Sequence, residues 1–312
     1  MMYKVLSVSA RRTYSLYSAF AADPGGGSHV AVIENAAEIP LAIRQEIARQ
    51  IGKPATCFVD HVEKDALTVQ FFSTKSELPM CGHGTIGLMS HAVARGWMVP
   101  GATEELPVYL HLKKGTARVG LRLEDDGRPR VMVSITPSVF RPAEIDQARL
   151  ARSLGLTPDA FSARLPCEVA NGDFNHLILP FSGLPSLKRI TPDFEAIAEF
   201  SRDIGVDTVT AFTTETERPE SAVRLRDFCP AVGVDESAAA GTTNAALSSY
   251  FVRHGLARGS DNHITIVAEQ GMEIGQPSRI WSEIDLRGEE IEALSVGGVA
   301  LKLHDGAFEI SA

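Results

Sequence analysis

The chain has 312 residues, 44% of them hydrophobic and 22% charged, a globular composition long enough for about two domains. Its 30 basic residues against 39 acidic ones leave a net charge of −9, which argues against a protein built to grip a nucleic-acid backbone. No apolar run reaches the roughly 18 residues of a membrane span, residues 1–13 show no cleavable apolar core, and four cysteines are too few for a disulfide framework, so a cytoplasmic protein with free thiols is expected.

In chain order, residues 5–8 and 29–33 read as strands. Between them the run Asp23-Pro24-Gly25-Gly26-Gly27-Ser28-His29 lacks the spacing of a phosphate cradle and reads as a surface turn. Residues 40–51 read as a helix, with Ile43, Ile47 and Ile51 on one face and Gly52 as its stop. Alternation over 67–72 predicts a strand, and strands follow at 108–112, 117–123 and 130–135. Residues 191–200 read as a helix with Pro192 in its first turn. Strands return at 206–212, 221–228 and 263–268. No linker, low-complexity segment or charge block divides the chain.

The most informative feature is an internal repeat. Cys81-Gly82-His83-Gly84-Thr85 is followed by an apolar stretch and Gly96. Ala240-Gly241-Thr242-Thr243-Asn244 is followed by an apolar stretch and Gly255. From Cys81 to Gly96 is 15 positions, and from Ala240 to Gly255 is again 15. A strand containing Phe72 or Phe228 precedes each copy. Between the glycines the residues are apolar on nearly all sides, as in a fully buried helix. The expectation is an α+β fold of two similar domains, each a curved sheet or barrel around a central helix, near 84–95 in one and 242–254 in the other. The first half spans 1–125 with a C-terminal strand at about 300–312, and the second spans 126–299.

Each helix start is glycine-lined: Gly82 and Gly84 open the first, Gly241 the second. Such a start exposes unpaired N–H groups and the positive dipole end, which suits an anion. Two starts sharing one cleft would hold a carboxylate and stabilise charge developing beside it. Tight turns into buried helices account for the same glycines. Cys81, just ahead of the first helix, is a candidate base if the helix start lowers its pKa, or else a small packed hydrophobe. His83 is placed to bond a substrate or to satisfy the helix end. Cys57, Cys167 and Cys229 have no metal-ligand spacing, and no metal site is expected.

These residues carry a family resemblance. Phe71-Phe72-Ser73, then Glu77-Leu78-Pro79-Met80-Cys81-Gly82-His83-Gly84-Thr85, resembles the phenazine-biosynthesis PhzF-like family. That family belongs to the wider diaminopimelate epimerase and proline racemase superfamily. The run from Arg224 through Asp227-Phe228-Cys229-Pro230 to Gly233, then Glu236 and Ala240-Gly241-Thr242, fits its second signature. Asn171-Gly172 with His176 ahead of an apolar strand, and Ala31-Val32-Ile33 after the glycine turn, fit as well.

The resemblance implies two domains of one fold, no cofactor, frequent homodimers, and isomerisation or epimerisation of a small carboxylate-bearing metabolite by proton transfer. The catalytic candidates are Cys81 and His83, and the substrate-binding candidates are Gly82, Gly84, Thr85, Gly241, Thr242, Thr243 and Asn171. Two departures stand out: the family's catalytic Glu position falls at Ala55, and its acidic position before the second helix falls at Ser237. The racemase branch's second cysteine falls at Ala240. A displaced acid is sought in Asp235, Glu236 or Glu77. Three readings stay open: an isomerase or epimerase with Cys81 as single base, a cofactor-free lyase or dehydratase, and a non-catalytic binder of small carboxylates.

Overall fold

The computed structural model describes residues 10–310 apart from 22, 24, 102, 103 and 258. The strand expected at 5–8 lies outside the described residues. The chain separates into two units: 1–19, 28–131 and 299–312 form the first, and 20–27 with 132–298 the second.

The first unit contains strands β1 (Ala10–Ala19), β2 (Ser28–Ile33), β3 (Ala55–Val62), β4 (Ala66–Phe72), β5 (Glu77–Leu78), β6 (Leu106–Leu112) and β7 (Gly115–Leu123), with the chain's last strand at Ala300–Ile310. Its helices are α1 (Leu41–Ile51) and α2 (Gly82–Ala94). α1 ends as the sequence predicts: Gly52 turns into the left-handed region at φ 66°, and its N–H donates to the Ala48 carbonyl. The α1 face carrying Ile47 and Ala48 packs into a core with Ile33, Phe58, Phe72 and Phe308. Each of these isoleucine and phenylalanine side chains, fully buried, contributes roughly 1.5–3 kcal/mol.

The second unit is entered through β8 (Pro129–Ser134) and contains β9 (Val139–Pro142), β10 (Glu168–Asn171), β11 (His176–Pro180), β12 (Thr208–Thr213), β13 (Val223–Cys229), β14 (Val234–Ser237), β15 (His263–Gln270), β16 (Ser278–Arg287) and β17 (Glu290–Gly298). Its helices are α3 (Gln147–Ser153), α4 (Leu184–Lys188), α5 (Phe194–Ile204) and α6 (Gly241–Arg253). α5 starts three residues later than expected. Asp193 caps it, its carboxylate accepting the Ala196 N–H at 3.0 Å, and Pro192 stays outside the helix. Leu177, Leu179, Ile197, Phe200, Val209 and Phe228 form this unit's core.

The duplication read from the glycine spacing extends to strand pairing. In the first unit β2 runs parallel to β3, and β3 antiparallel to β4. The start of β4 runs parallel to β6 and its end antiparallel to β5. In the second unit β11, β12, β13, β15 and β14 repeat that scheme in the same order, parallel and antiparallel pairs included. The sheets are mixed, which excludes a doubly wound parallel fold. α2 and α6 follow the two short strands β5 and β14, and each is 13 residues long. Residues 84–92 of α2 and 243–251 of α6 are buried. α2 lies on β1, β2, β3 and the last strand. At Gly87 an added Cβ would stand 2.0 Å from Val30, so only glycine lets the helix lie that close to β2.

Candidate functional site

In the first unit, the pairing of β5 with β4 places Cys81 at the start of α2. Cys81 is extended, at φ −143°. An added Cβ on Gly84 would meet the Phe71 ring at 2.9 Å and Cys81 Sγ at 3.0 Å, whereas one on Gly82 would meet open space. Gly84 is therefore required by packing and Gly82 is not. The Cys81 Sγ lies 3.7 Å from the ring nitrogens of His83. Burial pushes the thiol up to about 12, against a smaller downward pull from the Gly84 amide. Burial pushes His83 down to about 4. At neutral pH the pair is a thiol beside a neutral imidazole, so the helix start does not by itself yield the thiolate expected from the sequence. Thr85 is fully buried, its hydroxyl against Met80 Sδ, which makes it a packing residue.

In the second unit, Asn171 and Thr242 line one cavity of about 320 Å³. Thr136, Ser138, Asp173 and His176 complete its polar wall, and Ile135 and Ala245 contribute apolar surface. Thr242 stands in the first turn of α6, whose N-cap is Ala240, a residue with no side-chain cap to offer. Asn171 is held by its own amide, which donates to Asn175 Oδ1 at 2.7 Å. Gly241 is partly buried beside Thr242.

Thr243 points the other way, into the protein. Its hydroxyl is 2.8 Å from Asp227 Oδ2 and 3.5 Å from His176 Nδ1. Thr208 Oγ1 lies 2.8 Å from that same Nδ1, and Thr210 Oγ1 lies 3.3 Å from Asp227 Oδ1. Burial raises Asp227 from 3.8 to about 6, with the threonine hydroxyls pulling it back. Burial lowers His176 to about 4, opposed by the charge of Asp207. An acid, an imidazole and three hydroxyls thus form one buried network ending at the cavity wall.

The two positions where the resemblance expects an acid lie in different settings. Ala55 is fully buried at the start of β3. Ser237 ends β14 directly opposite Asp227 on β13. A carboxylate therefore remains at this point in the sheet, on the neighbouring strand. Two of the three substitutes sought from sequence are engaged elsewhere. Glu236 forms a buried ion pair with Arg226 at 2.7 Å, Glu77 pairs with Lys113, and Asp235 is exposed. His176 and Asp227 had no assigned role from the sequence. The available signal was charge within β13, Val-Arg-Leu-Arg-Asp-Phe-Cys, every residue of which is buried. Among the described residues no three His, Cys, Asp or Glu side chains are grouped to hold a metal ion, and no helix is long and apolar enough to cross a membrane.

Residues 17–306 match the model of the PhzC-PhzF family, phenazine biosynthesis-like proteins. A trans-2,3-dihydro-3-hydroxyanthranilate isomerase of Pseudomonas fluorescens is 29% identical over 91% of this chain and 95% of its own length. An "uncharacterized isomerase" of Deinococcus radiodurans is 28% identical over 95% and 94%. A PhzF-family protein of Bacillus anthracis, solved by crystallography, superposes with a TM-score of 0.85 at 21% identity, over 97% of this chain and all of that one. The chain belongs to the PhzC-PhzF family, and its curated relatives include isomerases.

Proposed function

We propose that this member of the family is an isomerase that moves a proton between carbon atoms beside the carboxylate of a small metabolite. The observation that carries the reading is the cavity at the start of α6: it is sized for a small molecule and gathers Thr242, Asn171 and His176 at an uncapped helix start. That combination offers hydrogen-bond donors for an anion and a titratable group beside it. The Cys81 and His83 pair of the first unit, taken by itself, is a further candidate for handling a proton. A thiol at about 12 accepts a carbon-bound proton only if its own proton moves to a neighbour, and neutral His83 at 3.7 Å is that neighbour. Gly82, with open space where a side chain would be, leaves room for the ligand. In keeping with the family resemblance, the enzyme would need no cofactor, act in the cytoplasm and form a homodimer.

The test incubates the protein in deuterium oxide with trans-2,3-dihydro-3-hydroxyanthranilate, the compound in the name of the Pseudomonas fluorescens relative, and with a panel of small unsaturated carboxylates. Proton NMR follows each mixture. An isomerase yields a rearranged product carrying deuterium on carbon. Loss of water instead identifies a lyase. A ligand that raises the melting temperature with no exchange at any carbon would leave a non-catalytic binder.

A further inference from the structure

We infer that Asp227, through Thr243 and Thr208, fixes His176 in the tautomer that carries its proton on Nδ1 and presents an unprotonated Nε2 at the cavity wall, making His176 the proton acceptor of the second unit. This deepens the proposed proton transfer by naming the group in this unit that takes the proton. Asp227, Thr208 and Thr243 are then positioning residues.

The assignment follows from counting hydrogens. An ionised carboxylate only accepts, and each threonine hydroxyl has one proton to give. Above pH 6 Asp227 is mostly ionised. Thr243, 2.8 Å from Oδ2, gives its proton there. Thr210, 3.3 Å from Oδ1, does the same. The Thr243 oxygen therefore turns lone pairs toward His176 Nδ1, 3.5 Å away.

Thr208 sits between Nδ1 at 2.8 Å and Thr210 Oγ1 at 3.4 Å. The proton of Thr210 is already spent, and Thr208 also hydrogen-bonds the Asp227 carboxylate, so the Thr208 proton points away from the ring and its oxygen accepts from it. Were Nδ1 unprotonated, Thr243 would face it lone pair to lone pair. If Thr208 turned its proton to the ring, it would face the Asp227 carboxylate and Thr210 the same way. The arrangement without such a clash has Nδ1–H donating to Thr208, with Thr243 beside it, and leaves the lone pair on Nε2. The hydrogen bonds of His176 run through Nδ1, and the residue lines the cavity.

The other charged groups nearby do not reverse this. Asp207 accepts the Asn175 N–H at 2.8 Å and acts on the ring only through its charge. Asp173 lines the cavity but is itself exposed.

The test reads the tautomer directly, by long-range ¹H–¹⁵N correlation on protein labelled with ¹⁵N-histidine at pH 7.5, with His176→Gln to assign the ring. The wild type should show neutral His176 with its proton on Nδ1. Thr243→Val should move the ring toward a mixture of tautomers, and Thr243→Ser should restore the single form. Asp227→Asn, which adds a donor to the network, should also disturb it. If either Thr243→Val or Asp227→Asn fails to fold, the other variant and the wild-type spectrum decide. A wild-type proton on Nε2, or a ring unmoved by both folded variants, overturns the inference. A protein that lacks isomerase activity can still show the Nδ1 tautomer, so this inference and the proposed function fail separately.

Discussion

Replacing Asp227 with Asn should change how stability depends on pH, by an amount the burial of this group sets. Asp227 titrates at about 6 in the folded chain, against an ordinary 3.8. Between those values the native state keeps a proton that the unfolded state has lost. Stability from this group therefore falls as pH rises from about 4 to about 6 and is level above. Linkage gives a cost of about 3 kcal/mol at pH 7.5 and about 1 kcal/mol at pH 4.5. Asn carries no such charge, so the stability difference between wild type and variant should shift by about 2 kcal/mol between the two pH values, in favour of the variant at pH 7.5. Hydrogen bonds lost to the amide move the variant by the same amount at both pH values and cancel in this comparison. Urea unfolding and thermal melts at pH 4.5 and 7.5 give the number, with a relative melting shift on the order of 5 °C for a unit this size. Parallel pH curves for the two proteins would refute the reasoning. Asp227 would then be ionised well below pH 6, and its burial would not govern its charge.

Cys81→Ser should cut turnover at least about 100-fold on any substrate the wild type converts, the low end of a general-base contribution; unchanged steady-state rates would remove the thiol from the chemistry. Two neighbouring glycines should separate packing from ligand space. Gly84→Ala drives a methyl group against Phe71 and Cys81 and should cost about 1–3 kcal/mol in chemical unfolding. Gly82→Ala meets open space, so it should fold nearly as well as wild type while weakening ligand binding in calorimetric titration. Arg226→Met strands the buried Glu236 carboxylate and should cost about 3–5 kcal/mol in urea unfolding; a loss under 1 kcal/mol would show the pair to be dispensable. His176→Gln should remove the acid-side loss of stability expected of a histidine held at about 4. That loss sets in as pH falls below 6.5, because the unfolded chain takes up a proton the native ring refuses.

The sequence carried the duplication because its strongest local signals lie in the two buried helices. Glycine at both ends and apolar residues on every side mark α2 and α6 without any knowledge of their partners. The order of strands around each helix was not visible. Whether β4 and β13 split their pairing between one parallel and one antiparallel neighbour depends on contacts between distant segments, which periodicity does not encode. The same limit explains the acid. Asp227 sits in a strand whose Arg-Leu-Arg-Asp alternation suggests one wet face, yet both faces are covered: Arg224 is buried on Glu269 and Glu273, and Arg226 on Glu236. Only register shows Asp227 opposite Ser237, the position at which the resemblance leads one to expect an acid.

The thiol shows how a correct local rule loses to a larger effect. A helix start favours an anion by typically 0.3–1 kcal/mol, and about 2 kcal/mol at most. Burial moves Cys81 from 9.0 to about 12, which amounts to about 4 kcal/mol against the thiolate. The dipole argument is readable from Gly82 and Gly84, but the burial that outweighs it requires the packed sheet. Proton transfer at Cys81 then requires His83 to take the thiol's proton as the substrate gives up its own. Replacing His83 with Phe, which fills similar volume but accepts no proton, should lower turnover nearly as far as Cys81→Ser does. The double variant should lose little more than either single one, because residues acting as a unit are non-additive. Losses that multiply instead would mean that the two side chains act separately and that the proton leaves Cys81 by another route.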